Sequence, residues 1–200
     1  MATGIKFGAL GENWLHLCVD MQRLFSSGAP WQVEWFEPAL LAIIPFVEKC
    51  PERTVFTRFI PPLQADDAIG TWRRFYRSWP QITRDRLPAE FLELAPPFQR
   101  YVPPARVIDK PVYSPWTDGQ LDRLLSGTGI DTLVITGGET DMCVLTTVLG
   151  AVDRGFRILI AKDGICSSKD QTHDAVMKLY EDRFAQQIEV ADLEEIDAVR

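Results

Sequence analysis

Apolar residues along this chain fall in short continuous runs separated by polar stretches marked with proline and glycine. That is the pattern of strands buried on both faces, with amphipathic helices between them. Leu15-His16-Leu17-Cys18-Val19-Asp20 is the first such run, closed by a carboxylate, and Arg53 to Phe59 is the second. Between them Glu37-Pro38 opens an apolar stretch to Cys50 that predicts a helix, with Pro38 in its first turn and Pro45 expected to kink it. Arg106 to Asp109 supplies a third strand. The last third predicts strand Thr132–Thr136, a helix from about Asp141 to Arg154, strand Phe156–Ala161, helix Gln171–Arg183 and strand Gln187–Val190. Such alternation predicts a three-layer α/β/α sandwich around a mostly parallel central sheet of about six strands. Functional groups then collect at the carboxyl ends of the strands.

The pattern loosens between Ile60 and Trp116, where proline pairs stand at 61–62, 96–97 and 103–104 and Trp72, Phe75, Tyr76 and Trp79 share one predicted helix. So aromatic a stretch is no linker. It reads as ordered loops and short helices that wall a pocket, or fill a satellite core.

Composition narrows the classes. A chain of 200 residues, 46% hydrophobic, can bury one sizeable core, and one domain over 1–200 is expected. The net charge of −7, with basic residues scattered among acids, gives no footprint for nucleic acid or an anionic membrane. Met1 to Glu12 lacks the apolar core of a signal peptide, and no run is long enough to span a bilayer, so a cytoplasmic location is expected. The four cysteines, at 18, 50, 143 and 166, form no C-x-x-C pair, and His16 and His173 are the only imidazoles. Any thiol chemistry here needs a base other than histidine.

Cys143 follows Gly137-Gly138-Glu139-Thr140-Asp141-Met142 at the start of a predicted helix. The helix dipole and free N–H groups there favour a thiolate, and the same N–H groups could receive the oxyanion formed when sulfur attacks a carbonyl. A buried structural cysteine would give the same local pattern. Asp20 ends an apolar strand and calls for a partner, and Lys110, also at a strand end, is a natural one. The two could serve as general base and electrostatic partner to a thiol, or form a structural ion pair.

Val19-Asp20-Met21-Gln22, Asp109-Lys110-Pro111-Val112-Tyr113-Ser114 and Gly137-Gly138-Glu139-Thr140-Asp141-Met142-Cys143-Val144 occur in that order. On these motifs the chain resembles the isochorismatase-like cysteine hydrolase superfamily, from about Leu15 to Val190. The resemblance implies a catalytic triad of Asp20, Lys110 and Cys143. It also implies a cis peptide between Gly138 and Glu139, and an oxyanion hole formed by the N–H groups of Glu139 and Cys143. No cofactor is implied, the partner being a small-molecule substrate, and a homo-oligomer, dimer or tetramer, is the family's habit.

Two departures narrow the substrate. The nicotinamidase branch carries an Asp-x-His metal site after the second strand, where this chain has Thr57-Arg58-Phe59-Ile60-Pro61, so no metal is expected. Isochorismatases proper generally lack the cysteine that this chain keeps. The implied reaction is hydrolysis of a small amide, ureide or carbamoyl compound through a Cys143 thioester. The alternatives are an ester or isochorismate-like ether hydrolase with Cys143 idle, or a redox-responsive binding protein without turnover. For substrate contacts, Arg58 could hold a carboxylate, and Phe25, Trp79, Tyr113 and Trp116 could wall the pocket. Glu139 either lines that pocket or faces another subunit. His173 is expected to be structural, Cys18 and Cys166 to be core or supporting thiols, and Cys50 to be inert.

Overall fold

Six strands, β1 (Trp14–Val19), β2 (Thr54–Phe59), β3 (Arg106–Lys110), β4 (Thr132–Gly138), β5 (Arg157–Cys166) and β6 (Ile188–Ala191), form one sheet in the order β3-β2-β1-β4-β5-β6. Every pairing is parallel. The helices are α1 (Phe36–Lys49), α2 (Gly70–Ser78), α3 (Pro96–Gln99), α4 (Gln120–Leu125), α5 (Leu145–Asp153), α6 (Asp170–Arg183) and α7 (Leu193–Ala198). The structure is a computed structural model in which residues 4–200 are described.

The layering follows from strand periodicity. Trp14 and Cys18 of β1 point to one face, with Phe56, Val134 and Leu159, where α1 and α7 cover them through Phe36, Leu40, Ile43, Val47, Leu193 and Ile196. Leu15, Leu17 and Val19 point to the other, with Val55, Ile135 and Ile160, under Leu121 and Leu125 of α4, Val148 and Ala151 of α5, and Val176 and Tyr180 of α6. Helix α1 presents Phe36, Ala39, Leu40, Ile43 and Val47 at helical spacing. Pro45 is exposed on its outer side, and the helix runs through it without interruption.

The observed elements differ from those predicted at two places that matter. Strand β5 extends from Arg157 to Cys166 and does not stop at Ala161, because the register jumps from Ile135↔Ile160 to Gly137↔Ile165 and absorbs the polar Lys162-Asp163 as an irregularity. The helix carrying Cys143 opens as a single π-helical turn, Thr140–Val144, before α5 begins. Helices α4 and α7 were not anticipated.

The chain winds outward from β1 to one edge, returns to β4 at β1's other side, and winds outward again. Loops therefore leave the carboxyl ends of β1 and β4 in opposite directions and open a crevice between them. Gly137 allows the two strands to meet there: its φ is +107°, and a Cβ would stand 2.0 Å from the Val19 carbonyl oxygen.

Candidate active site

Three strand ends converge on this crevice. Asp20 follows β1 with a left-handed backbone (φ 51°), held by a 3.2 Å hydrogen bond from its N–H to the Thr57 carbonyl. Lys110 is the last residue of β3, and Cys143 sits in the π turn after β4. The Gly138-Glu139 peptide is cis, and the Glu139 carbonyl accepts the N–H groups of both Met142 and Val144. The N–H of Cys143 lies between those two.

The side chains meet in a buried cluster. Lys110 Nζ donates to Asp20 Oδ2 at 2.6 Å, to the Val112 carbonyl at 3.2 Å and to Cys143 Sγ at 3.4 Å. The Thr57 hydroxyl donates to Asp20 Oδ1 at 2.6 Å, so both carboxylate oxygens have a donor. Burial opposes the charge of Lys110, but Asp20 and the sulfur outweigh burial and hold the ammonium above the usual lysine range. Burial pushes the Cys143 thiol well above its ordinary range, with Lys110 pulling it down and Asp20 pushing it up. This corrects the expectation of a readily ionised cysteine, since loss of water outweighs the helix start.

Cys143 opens on a cavity of about 320 Å³ whose walls are largely aromatic. Phe25, Trp79 and Tyr113, all expected there, line it together with Glu139 and Cys143. Trp31 organises one wall, its ring 6.3 Å from Phe25, 5.8 Å from Phe75, 6.1 Å from Phe59 and 6.2 Å from Trp79. A second groove of about 440 Å³ passes Trp72, Arg84 and Asp109 and touches Lys110 but not Cys143, so the smaller cavity is the one that reaches the sulfur.

Two expected contacts lie elsewhere. Arg58 is taken by Asp109, in a bidentate pair at 2.8 and 3.0 Å, and by Glu93 at 2.9 Å. Strand alternation sends Thr57 toward Asp20 and Arg58 to the opposite face. Trp116 packs behind α5: its indole N–H donates to the Thr147 carbonyl at 2.9 Å, and a Cβ on Gly150 would stand 2.3 Å from its ring.

Trp31, Phe59, Met142, Ser168 and Lys169 also line the cavity and were not singled out as pocket residues in the sequence, while Phe75 comes from the aromatic stretch named there. Ser168 and Lys169 follow the carboxyl end of β5, so the strand-end rule would have found them had β5 been read to Cys166. Trp31 had no such signal, because it enters from the loop before α1. His173 Nδ1 is 2.9 Å from the Thr140 hydroxyl, which donates to the Cys166 carbonyl and so steadies the turn. At the position of the Asp-x-His site, Thr57, Arg58 and Phe59 are bound to Asp20, bound to acids, and packed in the wall, and offer no set of metal ligands. Among the described residues no three His, Cys, Asp or Glu side chains come together to hold a metal, and no helix is long and apolar enough to cross a membrane.

An aspartate, a lysine and a cysteine are joined at the central crevice of a three-layer parallel fold, and the comparisons place the chain in a family of hydrolases. Residues 15–192 match the isochorismatase domain, and the chain belongs to that family. It is 24% identical over 165 residues to Nicotinamidase 3 of Arabidopsis thaliana, covering 80% of this chain and 77% of that protein. It is 26% identical over 169 residues to maleamate amidohydrolase of Pseudomonas putida KT2440, covering 80% and 75%. A solved cysteine hydrolase from Pseudomonas syringae pv. phaseolicola 1448A shares the fold, with a TM-score of 0.78, 16% identity, and coverage of 100% of this chain and 99% of that one.

Proposed function

We propose that this isochorismatase-family protein hydrolyses a small amide, ureide or carbamoyl compound through a thioester on Cys143. The observation that carries the reading is the buried Lys110 ammonium, shared between Asp20 Oδ2 at 2.6 Å and Cys143 Sγ at 3.4 Å, beneath a cavity that Cys143 itself lines. Relatives named for amide hydrolysis support the bond type.

The cycle uses only groups of this chain and water. Asp20 takes the thiol proton as sulfur attacks the carbonyl carbon, and Lys110 stabilises the sulfur's developing charge. The N–H groups of Glu139 and Cys143 receive the carbonyl oxygen as it becomes an oxyanion. Collapse breaks the C–N bond, and the amine leaves with the proton from Asp20. Water then attacks the thioester while Asp20 accepts its proton, the acid departs, and the same proton restores the thiol. The proton taken from the thiol is held on Asp20 until the leaving amine needs it.

The test is ammonia or amine release across a panel of small amides, ureides and carbamoyl compounds, in buffer with a chelator, comparing the protein with Cys143→Ala. Release is expected from the parent and abolished in the variant. Release that persists in the variant would remove Cys143 from the role of nucleophile.

A further inference from the structure

We propose that Glu139 selects the substrate, favouring an aromatic amide that carries a protonated amine on the carbon next to the scissile carbonyl. This rests on the thioester reading above and adds to it the charge and shape of the acyl group. Among the described residues Glu139 is the one acidic residue lining the cavity, and it is half-buried. Its Oε1 accepts the Ser168 N–H at 3.0 Å, which fixes the carboxylate against the wall. Among the described residues it has no ion pair and its carboxylate has no second hydrogen-bond donor. A partly buried carboxylate so placed gains most from a cation brought by the ligand.

Position follows from covalent geometry. The N–H of Glu139 is one of the two proposed oxyanion donors, and its own carboxylate can lie at most about 6 Å from that nitrogen. Glu139 and Cys143 line the same cavity, so the carboxylate is within range of a substituent beside the carbonyl. The rest of the cavity, Phe25, Trp31, Phe75 and Trp79, offers flat apolar surface for a ring. Among the described residues the one cation lining the cavity is Lys169, which is exposed, so water and salt weaken its hold on an anion. An α-carboxylate would also face Glu139 at close range.

Three amides of one ring and length separate the possibilities at pH 6.5, where an α-amine is largely protonated: phenylalaninamide, neutral 3-phenylpropanamide, and the anionic monoamide of benzylmalonic acid. We expect kcat/KM for phenylalaninamide to exceed that for the neutral amide by at least about tenfold, with the anionic amide slowest. The cationic-to-neutral ratio should collapse toward one in Glu139→Gln and shrink when salt is raised in the parent protein. If Glu139→Gln fails to fold, the parent's ratio, its salt dependence and its persistence in Lys169→Gln still decide the matter. Equal rates on all three amides would overturn the proposal while leaving Cys143-dependent hydrolysis standing. Preference for the anionic amide, lost in Lys169→Gln, would overturn it in favour of Lys169. Release from none of the three overturns it as well, and Cys143-dependent release elsewhere on the wider panel then shows that the amidase reading survives.

Discussion

Replacing Lys110 with methionine removes the group on which Asp20 and Cys143 both depend, and the structure sets the size of two separate losses. Asp20 is buried, and its Oδ2 would lose a 2.6 Å ion pair, keeping only the Thr57 hydroxyl on Oδ1. Breaking a buried pair from one side costs about 3–5 kcal/mol, because the remaining charge is left uncompensated. In a domain of this size that lowers Tm by roughly 6–20 °C. The second loss is electrostatic support for the thiolate: at the observed 3.4 Å and an effective dielectric of about 20, it amounts to about 5 kcal/mol. Thiolate, and with it the rate of Cys143 alkylation by iodoacetamide at neutral pH, should fall by about 10³-fold or more. The double variant Asp20→Asn, Lys110→Met separates the two, since removing both charges should restore most of the stability and none of the thiolate support. Urea denaturation reads the first effect, and alkylation followed by mass spectrometry reads the second. A Lys110→Met protein with unchanged midpoint and an alkylation rate within threefold of the parent would refute the reasoning, because the ammonium would then be holding neither partner.

The remaining predictions concern pH and the crevice. Burial pushes the Cys18 thiol up to about 12 and Cys50 up to about 11. Above pH 9 the unfolded chain therefore loses protons that the folded chain keeps, so stability falls with rising pH. The loss is about 1.4 kcal/mol per pH unit for each such thiol, and a urea midpoint that stays flat from pH 8 to 10.5 would contradict it. On the acid side burial lowers His16 to about 3, so between pH 6.5 and 3 the unfolded state takes up a proton that the folded state refuses. His16, set between the Thr54 and Thr136 hydroxyls at 3.2 and 2.8 Å, should contribute a loss of stability through that window that titration with its imidazole detects by NMR. Gly137→Ala should abolish the fold or cost more than about 4 kcal/mol, because its Cβ would stand 2.0 Å from the Val19 carbonyl oxygen at a φ of +107°, and a thermal melt close to the parent's would refute the tight β1–β4 approach.

The apolar runs and their spacing determined the alternation of strands and helices, and hence a parallel sheet with its chemistry at the carboxyl ends of the strands, because a strand buried on both faces leaves little choice of residue. Asp20 and Lys110 were legible as polar residues at strand ends and Cys143 as a cysteine at a helix start, while their joint role came from the resemblance of the three motifs to a known family. What the chain order could not reveal is which side chains share a space. Arg58 and Thr57 are neighbours in sequence, yet strand alternation turns one to Asp20 and the other to Asp109 and Glu93. Trp116 and Trp31 look alike as aromatics in loops, but a glycine on α5 receives the first and the cavity wall receives the second. The irregular register between β4 and β5 carries β5 to Cys166 and brings Ser168 to the Glu139 carboxylate. The thiol's proton affinity was likewise decided by tertiary packing, since a helix start favours ionisation locally while desolvation by the surrounding fold opposes it and is the larger effect.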